Sequence, residues 1–357
     1  MMTFISAKRI AALFCAAVMF VIAFSPIAHA NKTVTVVCPN GAGKTFKSIT
    51  AALAANPQSV GFLTINASGT CTENIFVSAL SGVSIVGKPK VTIKPSDAKN
   101  STITFIGLLY LDNVALTTGP VGIYAIPGAV VLDVESSTIK GNGIGIDQTY
   151  GGTLVVGNST IDVTGNLGIY FSGGTLQISA SGAHTTSVTS KVDGIYAFQS
   201  LVTFSSDPFS KVLISNNPGA GIACNACAIT NSSQGQVIIS GNGISGNQWA
   251  MALLGGYAAL PNVTVSDNKG LGGILAGQGE SVQLGGTSVT GNSGTGIEAQ
   301  DGGTVHYVTY QGNGVTTVKG NATEIGCYQE GHQYADIAKT IAPVPKGVPA
   351  SCLQIGG

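Results

Sequence analysis

The sequence predicts an all-β protein: a right-handed, single-stranded parallel β-helix with three short strands per coil and an N-terminal capping helix. Three observations carry that expectation. A Gly-Ile pair recurs at a nearly constant interval, an asparagine keeps pace slightly upstream of it, and the repeat unit shows no helical periodicity.

The elements follow in chain order. Lys8-Arg9 precedes an apolar run from Ile10 to Phe24, and Ala28-His29-Ala30 has the small-x-small pattern of a signal-peptidase site, so residues 1–30 read as a secretory signal. A lipoprotein anchor fits less well, because Cys15 follows bulky Phe14 in the middle of the apolar run. No later stretch approaches the roughly 18 consecutive apolar residues of a membrane span. Residues 31–60 hold a strand, Thr33 to Val37, and a segment Thr45 to Leu53 that places Phe46, Ile49, Ala52 and Leu53 on one helical face and stops before Pro57. These read as a cap over the first exposed strand edges, which a solenoid must cover.

Residues 61–319 are the repeat. The pairs are Gly122-Ile123, Gly145-Ile146, Gly168-Ile169, Gly194-Ile195, Gly221-Ile222, Ala250-Met251, Gly273-Ile274 and Gly296-Ile297, with steps of 23, 23, 26, 27, 29, 23 and 23 residues. The second marker is Asn142, Asn166, Asn217, Asn242, Asn268, Asn292 and Asn313, with a gap near Lys191. Two further apolar-alternating segments complete each unit, as in Ser281-Val282-Gln283-Leu284 and Ser288-Val289-Thr290. A leucine-rich repeat has a similar period, but its leucine ladder and helical half are missing. The isoleucines should stack about 4.8 Å apart, with asparagines at corners that favour left-handed backbone and hydrogen-bond along the axis, and glycines where a turn leaves no room for a Cβ. Residues 320–357 abandon the repeat for Pro and Cys and read as the second cap.

Six cysteines remain after cleavage of the signal: Cys38, Cys71, Cys224, Cys227, Cys327 and Cys352. An even number in a chain bound for an oxidising compartment predicts disulfides, and nearest-neighbour pairing gives 38–71, 224–227 and 327–352 among fifteen possible connectivities. Cys224-Asn225-Ala226-Cys227 has thioredoxin-type spacing without the βα setting that makes that motif redox-active, so a structural bond or paired thiols is expected there.

Ser68-Gly69-Thr70-Cys71-Thr72-Glu73-Asn74, the strand-Cys-loop-helix opening, and the Asn-x-x-Gly-Ile coils resemble secreted bacterial right-handed parallel β-helix proteins of the wider pectate-lyase-like superfamily. The resemblance spans most of the mature chain and concerns architecture. It implies asking whether polysaccharide chemistry is present. Pectate-lyase-type and pectin-esterase-type sites use an arginine beside aspartates, and Arg9 in the signal is the only arginine in the chain. Lysine cannot supply the planar bidentate clamp. Polygalacturonase-type hydrolysis needs clustered carboxylates. The nearest approach is Asp133 and Glu135 on one strand face, with Asp147 about one coil on.

Other motifs weigh little. Gly41-Ala42-Gly43-Lys44-Thr45 imitates a phosphate loop, but Cys38 stands where its first glycine should be and no further βαβ units follow. His184, His306 and His332 lack metal-ligand spacing, so neither a metal nor another cofactor is expected. Without Lys8 and Arg9, 14 of the 16 basic residues face 16 acidic ones, which speaks against nucleic-acid binding.

A ligand surface is suggested by the strand alternation itself. The residue after each inward Ile must point outward, giving one column of Tyr124, Asp147, Tyr170, Tyr196, Ala223, Ala252, Leu275 and Glu298. Its first four members span about 14 Å, room for two or three sugar rings on amphipathic aromatic faces, with Asp147 accepting hydroxyl hydrogen bonds. The competing account is that stacked tyrosines only stabilise the sheet. The expectation is a secreted or periplasmic, non-enzymatic protein whose partner is a polysaccharide or cell-envelope glycan. The alternative is a polysaccharide lyase, hydrolase or epimerase.

Overall fold

The computed structural model describes residues 31–327 apart from 42, 44, 57–60, 142, 246–247 and 308–315. The expected signal, the 327–352 bridge, His332, Asn142 and Asn313 therefore lie outside the described residues. The chain winds as a parallel β-solenoid of about ten turns, consistent with a right-handed β-helix. Every strand pairing between successive coils is parallel, from Lys32–Cys38 against Leu63–Thr72 to Thr295–Ala299 against Thr323–Cys327.

Three sheets run the length of the solenoid, and each has an inward apolar ladder. In the first, the Gly-Ile sheet, the ladder is Ile75, Ile103, Ile123, Ile146, Ile169, Ile195, Ile222, Met251, Ile274, Ile297 and Ile325. None is more than 4% exposed, so each contributes the roughly 1.5–3 kcal/mol of a buried aliphatic side chain. The second sheet stacks Leu109, Leu132, Leu154 and Leu176 in register, and the third stacks Ile139, Ile161, Val188, Ile214, Ile239, Val265 and Val289. Alternation along each strand sends one residue into this core and the next to the surface.

The glycine of Gly-Ile is explained by the corner it follows. At Gly168 a Cβ would lie 2.5 Å from the Gly194 carbonyl oxygen of the next coil and 2.5 Å from Val188 Cγ1 of the third sheet. At one coil Ala250 takes the place, fully buried.

The asparagine ladder is real but shorter and shifted. Asn217 Nδ2 donates to Asn242 Oδ1 at 2.8 Å, Asn242 to Asn268 at 3.1 Å, Asn268 to Asn292 at 2.7 Å and Asn292 to Asn321 at 2.7 Å. Each ladder Oδ1 also accepts the backbone N–H of the asparagine one coil up. Ser190 ends the series, its N–H donating to Asn217 Oδ1 at 2.7 Å. Asn166 is exposed and takes no part in the ladder. The residue preceding each ladder asparagine has positive φ: Asn216, Gly241, Asp267, Gly291 and Gly320. That left-handed corner favours Gly and Asn, as the composition indicates. Asn321 and Ile325 carry both ladders into the stretch after Lys319.

The N-terminal cap departs from expectation in its helix. Only Ile49–Ala54 is helical, and Phe46 instead forms a parallel bridge with Val36, its N–H donating to the Thr35 oxygen at 2.9 Å. The first strand claims that backbone, so the helix starts at its Ser48 N-cap, whose hydroxyl accepts from Ala51 N–H. Ile49 and Ala52 are buried as their spacing predicts. Glu73 completes the cap: its two oxygens accept Ile49 N–H and Thr50 N–H, each at 2.8 Å. The Cys38–Cys71 disulfide ties the first strand to the coil beneath it. Cys224–Cys227 closes a corner between the first and second sheets, with both residues buried.

Candidate functional site

The register fixes which side chains share the outer face of the Gly-Ile sheet. Tyr124 pairs with Asp147, Asp147 with Tyr170, Tyr170 with Tyr196 and Tyr196 with Ala223. The series continues through Ala252, Leu275 and Glu298. The eight positions therefore form one unbroken row. Upstream it gains two members, Thr104 opposite Tyr124 and Phe76 opposite Thr104. Neither was visible from the Gly-Ile marker, because Asn74 and Thr102 precede the isoleucines in those coils. An isoleucine followed by an outward residue was the remaining signal.

Tyrosines in this row hold one another. The Tyr170 and Tyr196 rings meet edge-to-face with centroids 5.5 Å apart. Tyr124 shares a hydrogen bond with Tyr150, a half-exposed residue at the following corner. That bond, burial, and the nearby Tyr150 and Asp147 together raise the Tyr124 phenol above its ordinary value. Asp147 lies between Tyr124 and Tyr170. Burial raises its carboxyl above the usual range, partly offset by a hydrogen bond from Thr149. Its Oδ1 is closed to water and has no hydrogen-bond partner among the described residues.

Beside the upper end of the row is an open cleft of about 420 Å³, lined by Asn74, Ile75, Phe76, Lys99, Asn100, Ser101, Thr104, Pro120 and Tyr124. One side chain builds its wall. Asn74 Nδ2 donates to the Ser101 oxygen at 2.9 Å and the Asp97 oxygen at 3.1 Å, while Asn74 Oδ1 accepts Asp97 N–H at 2.7 Å and Ser96 Oγ at 2.8 Å. Asp97 in turn accepts from Lys99 N–H and Asn100 Nδ2. These hydrogen bonds tie the loop to Asn74, and Phe76, 56% exposed, also lines the cleft.

Asp133 and Glu135 sit elsewhere. They project from the second sheet, Asp133 in register with Tyr110 and Val155, Glu135 with Asp112 and Gly157. Asp147, on the first sheet, is on a different wall, so the three carboxyls form no common group. The sequence distance hid this because one strand, Val121–Glu135, bends round a corner and serves both sheets. Burial and the charges of Glu135 and Asp112 raise Asp133 above the usual carboxylate range. Glu135 accepts Asn158 Nδ2 at 2.6 Å, a corner contact between coils.

Among the described residues the one grouping of metal-type ligands is Cys38, Cys71 and Glu73. Both sulfurs are in the disulfide and both carboxylate oxygens accept helix N–H groups, so these atoms are already engaged. No helix among the described residues is long and apolar enough to cross a membrane.

No family model matches this chain, and no curated protein matches it. Among solved structures, a pectin methylesterase from Aspergillus niger aligns with 17% identity over 66% of this chain and 77% of its own, at a TM-score of 0.26. A score that low carries no argument about this chain's chemistry.

Proposed function

We propose that this chain is a secreted, non-enzymatic β-helix that binds a glycan along the outer face of its Gly-Ile sheet. The observation that carries the reading is the continuity of the row from Phe76 to Tyr196 with the cleft beside it. Six register positions about 4.8 Å apart span about 24 Å, the length of several sugar rings, and four of the six carry aromatic rings. Amphipathic aromatic faces suit the apolar faces of sugars, and Tyr hydroxyls and Asp147 suit their hydroxyl groups.

The carboxyl spacing favours binding over hydrolysis. Along this row the next acid after Asp147 is Glu298, six coils and about 29 Å away, whereas paired glycosidase carboxyls stand about 5–9.5 Å apart. Lys99 is the cation lining the cleft, and a lysine makes no bidentate clamp on a uronate carboxylate.

The test is to incubate the purified protein with a panel of polysaccharides, with and without calcium, recording retention, unsaturated products and new reducing ends. Retention without cleavage is expected. Tyr170→Ala should weaken retention roughly tenfold, the loss of one stacked aromatic, while the melting temperature falls by only a few degrees. New reducing ends or unsaturated products would overturn the reading. So would unchanged retention in Tyr170→Ala accompanied by a large loss of stability.

A further inference from the structure

The ring-acid-ring order of the row has a more specific consequence, which rests on the glycan reading above. Tyr124 and Tyr170 project from coils two steps apart, about 9.6 Å, on either side of Asp147. A group seated over Asp147 is one coil, about 4.8 Å along the axis, from the position of each tyrosine, within reach of the roughly 6 Å over which a cation is attracted by an aromatic ring. The floor of that gap is the half-buried Asp147 carboxyl, whose Oδ1 is sealed beneath the surface, so a ligand meets the group from its outer side. Tyr150, hydrogen-bonded to Tyr124 at the adjoining corner, supplies a third phenol. Tyr196 fixes the pose of Tyr170 by its edge-to-face contact.

A half-buried acid between two tyrosines makes a poorer seat for a hydroxyl alone than for a positively charged donor. A hydroxyl supplies a single neutral hydrogen bond. An ammonium supplies three donors, neutralises the acid, and gains from the flanking rings. No lysine belongs to this part of the row: its members from Tyr124 to Tyr196 are three tyrosines and the aspartate, and Lys99 lines the cleft one end away. Among the described residues this acid therefore has no ion-pair partner.

We propose that Asp147, Tyr124, Tyr150 and Tyr170 form a receptor for the ammonium group of an amino sugar, so that the bound glycan carries free amines and not only hydroxyl or N-acetyl groups.

The proposal is tested by isothermal titration at neutral pH with a glucosamine tetramer and its fully N-acetylated counterpart. The wild-type protein should prefer the free amine by about tenfold or more, the contribution of one charge-assisted contact with aromatic neighbours. Asp147→Asn is nearly isosteric and removes a half-buried charge, so it should fold, and its preference should drop to about twofold or less. Tyr150→Ala, a substitution at an exposed ring, should reduce the preference in part and provides a second test independent of the acid. Choline carries a cation without a sugar ring and should compete weakly.

Equal affinity for the two tetramers would overturn this proposal while leaving glycan binding standing, as would an undiminished preference in Asp147→Asn. Choline competing as well as the glucosamine tetramer would remove the sugar from the recognition and overturn it too. If no saccharide of any kind is retained, the glycan reading itself falls, and the two failures are thereby told apart.

Discussion

Asn268 shows what one residue does in a solenoid core. Its side-chain oxygen accepts both the N–H and the Nδ2 of Asn242, while its own Nδ2 donates to Asn292 and to the Ile239 carbonyl. Replacing it with Leu leaves buried donors and acceptors in the coils above and below without partners, at about 1–3 kcal/mol each. Asn268→Leu should therefore cost about 3 kcal/mol or more. Asn158→Leu should cost less, about 1–2 kcal/mol for placing Leu at its positive φ of 49°, because Asn158 is half-buried and its bonds to Glu135 and Ser181 lie near solvent. Thermal melts followed by circular dichroism decide it, and equal melting temperatures would reduce the ladder asparagines to tolerated turn residues. Glu280 makes the opposite kind of contribution. It is 2% exposed at a glycine-rich corner, and burial lifts its carboxyl to about 7. Its folded pKa lies above the unfolded one, so the folded state binds the extra proton. Stability is unaffected below the unfolded value, falls as pH rises from there to about 7, and stays low above it. Glu280→Gln should stabilise the protein at pH values near 8 by up to about 3 kcal/mol and leave it unchanged near pH 4. Urea melts at the two pH values measure the difference, and an equal effect at both would show that ionisation of Glu280 is not its source.

The elements differ in how far the sequence discloses them, and the reasons are geometric. The Gly-Ile sheet is legible because most coils from Gly122 to Gly296 meet the steric demand seen at Gly168, so the demand repeats in the sequence, while Asn74, Thr102 and Ala250 take the place in other coils. The asparagine series is less so. Each asparagine from Asn217 to Asn321 lies three residues beyond an inward residue of the third sheet, whereas its distance to the next Gly-Ile pair varies with the corner between them. Counting from the isoleucines therefore admitted Asn166 and passed over Asn321. Phe46 is a different case: its spacing from Ile49 and Leu53 is helical, but a neighbouring strand offered its backbone a bridge, and tertiary pairing overrode the local pattern. The two disulfides are equally legible as cysteine pairs yet unequal in effect. Cys38–Cys71 closes a loop with a sequence separation of 33, Cys224–Cys227 one with a separation of 3. By the loop-entropy relation the first contributes about 3–4 kcal/mol and the second about half as much. Replacing both cysteines of the first pair with serine should lower the denaturant midpoint about twice as far as doing so for the second. It should also expose the cap to protease, because the helix Ile49–Ala54 rests on the same corner through Glu73. Equal midpoints would mean that the cap holds without its bridge.

On the scale of the whole molecule, stacking identical turns turns a sequence interval into a straight line on the surface. The eight-membered row was readable from the Gly-Ile interval alone, since an outward residue is forced by the inward one before it. The cleft was not, because it depends on how Asn74 gathers a loop more than twenty residues away. The row is also uneven along its length. Aromatic rings crowd its first six positions, and below Tyr196 it passes to Ala223 and Ala252. If the sheet is a glycan platform, its footprint ends at Tyr196 because the side chains end there, while the backbone continues unchanged for several coils. Ala223→Tyr then extends the platform by one step of about 4.8 Å without altering the existing contacts. A ligand long enough to reach the new ring gains one aromatic contact, about 0.5–1.5 kcal/mol, or roughly two- to tenfold in affinity. A ligand that already ends above it gains nothing. Affinities measured for an oligosaccharide series from trimer to octamer should therefore be unchanged at the short end and raised at the long end in Ala223→Tyr. If the tyrosines act only by stacking on one another, the variant melts higher and every length binds as before. An equal gain at every length would place the ligand off the row, since only a molecule aligned with the solenoid axis can sense where the row of rings stops.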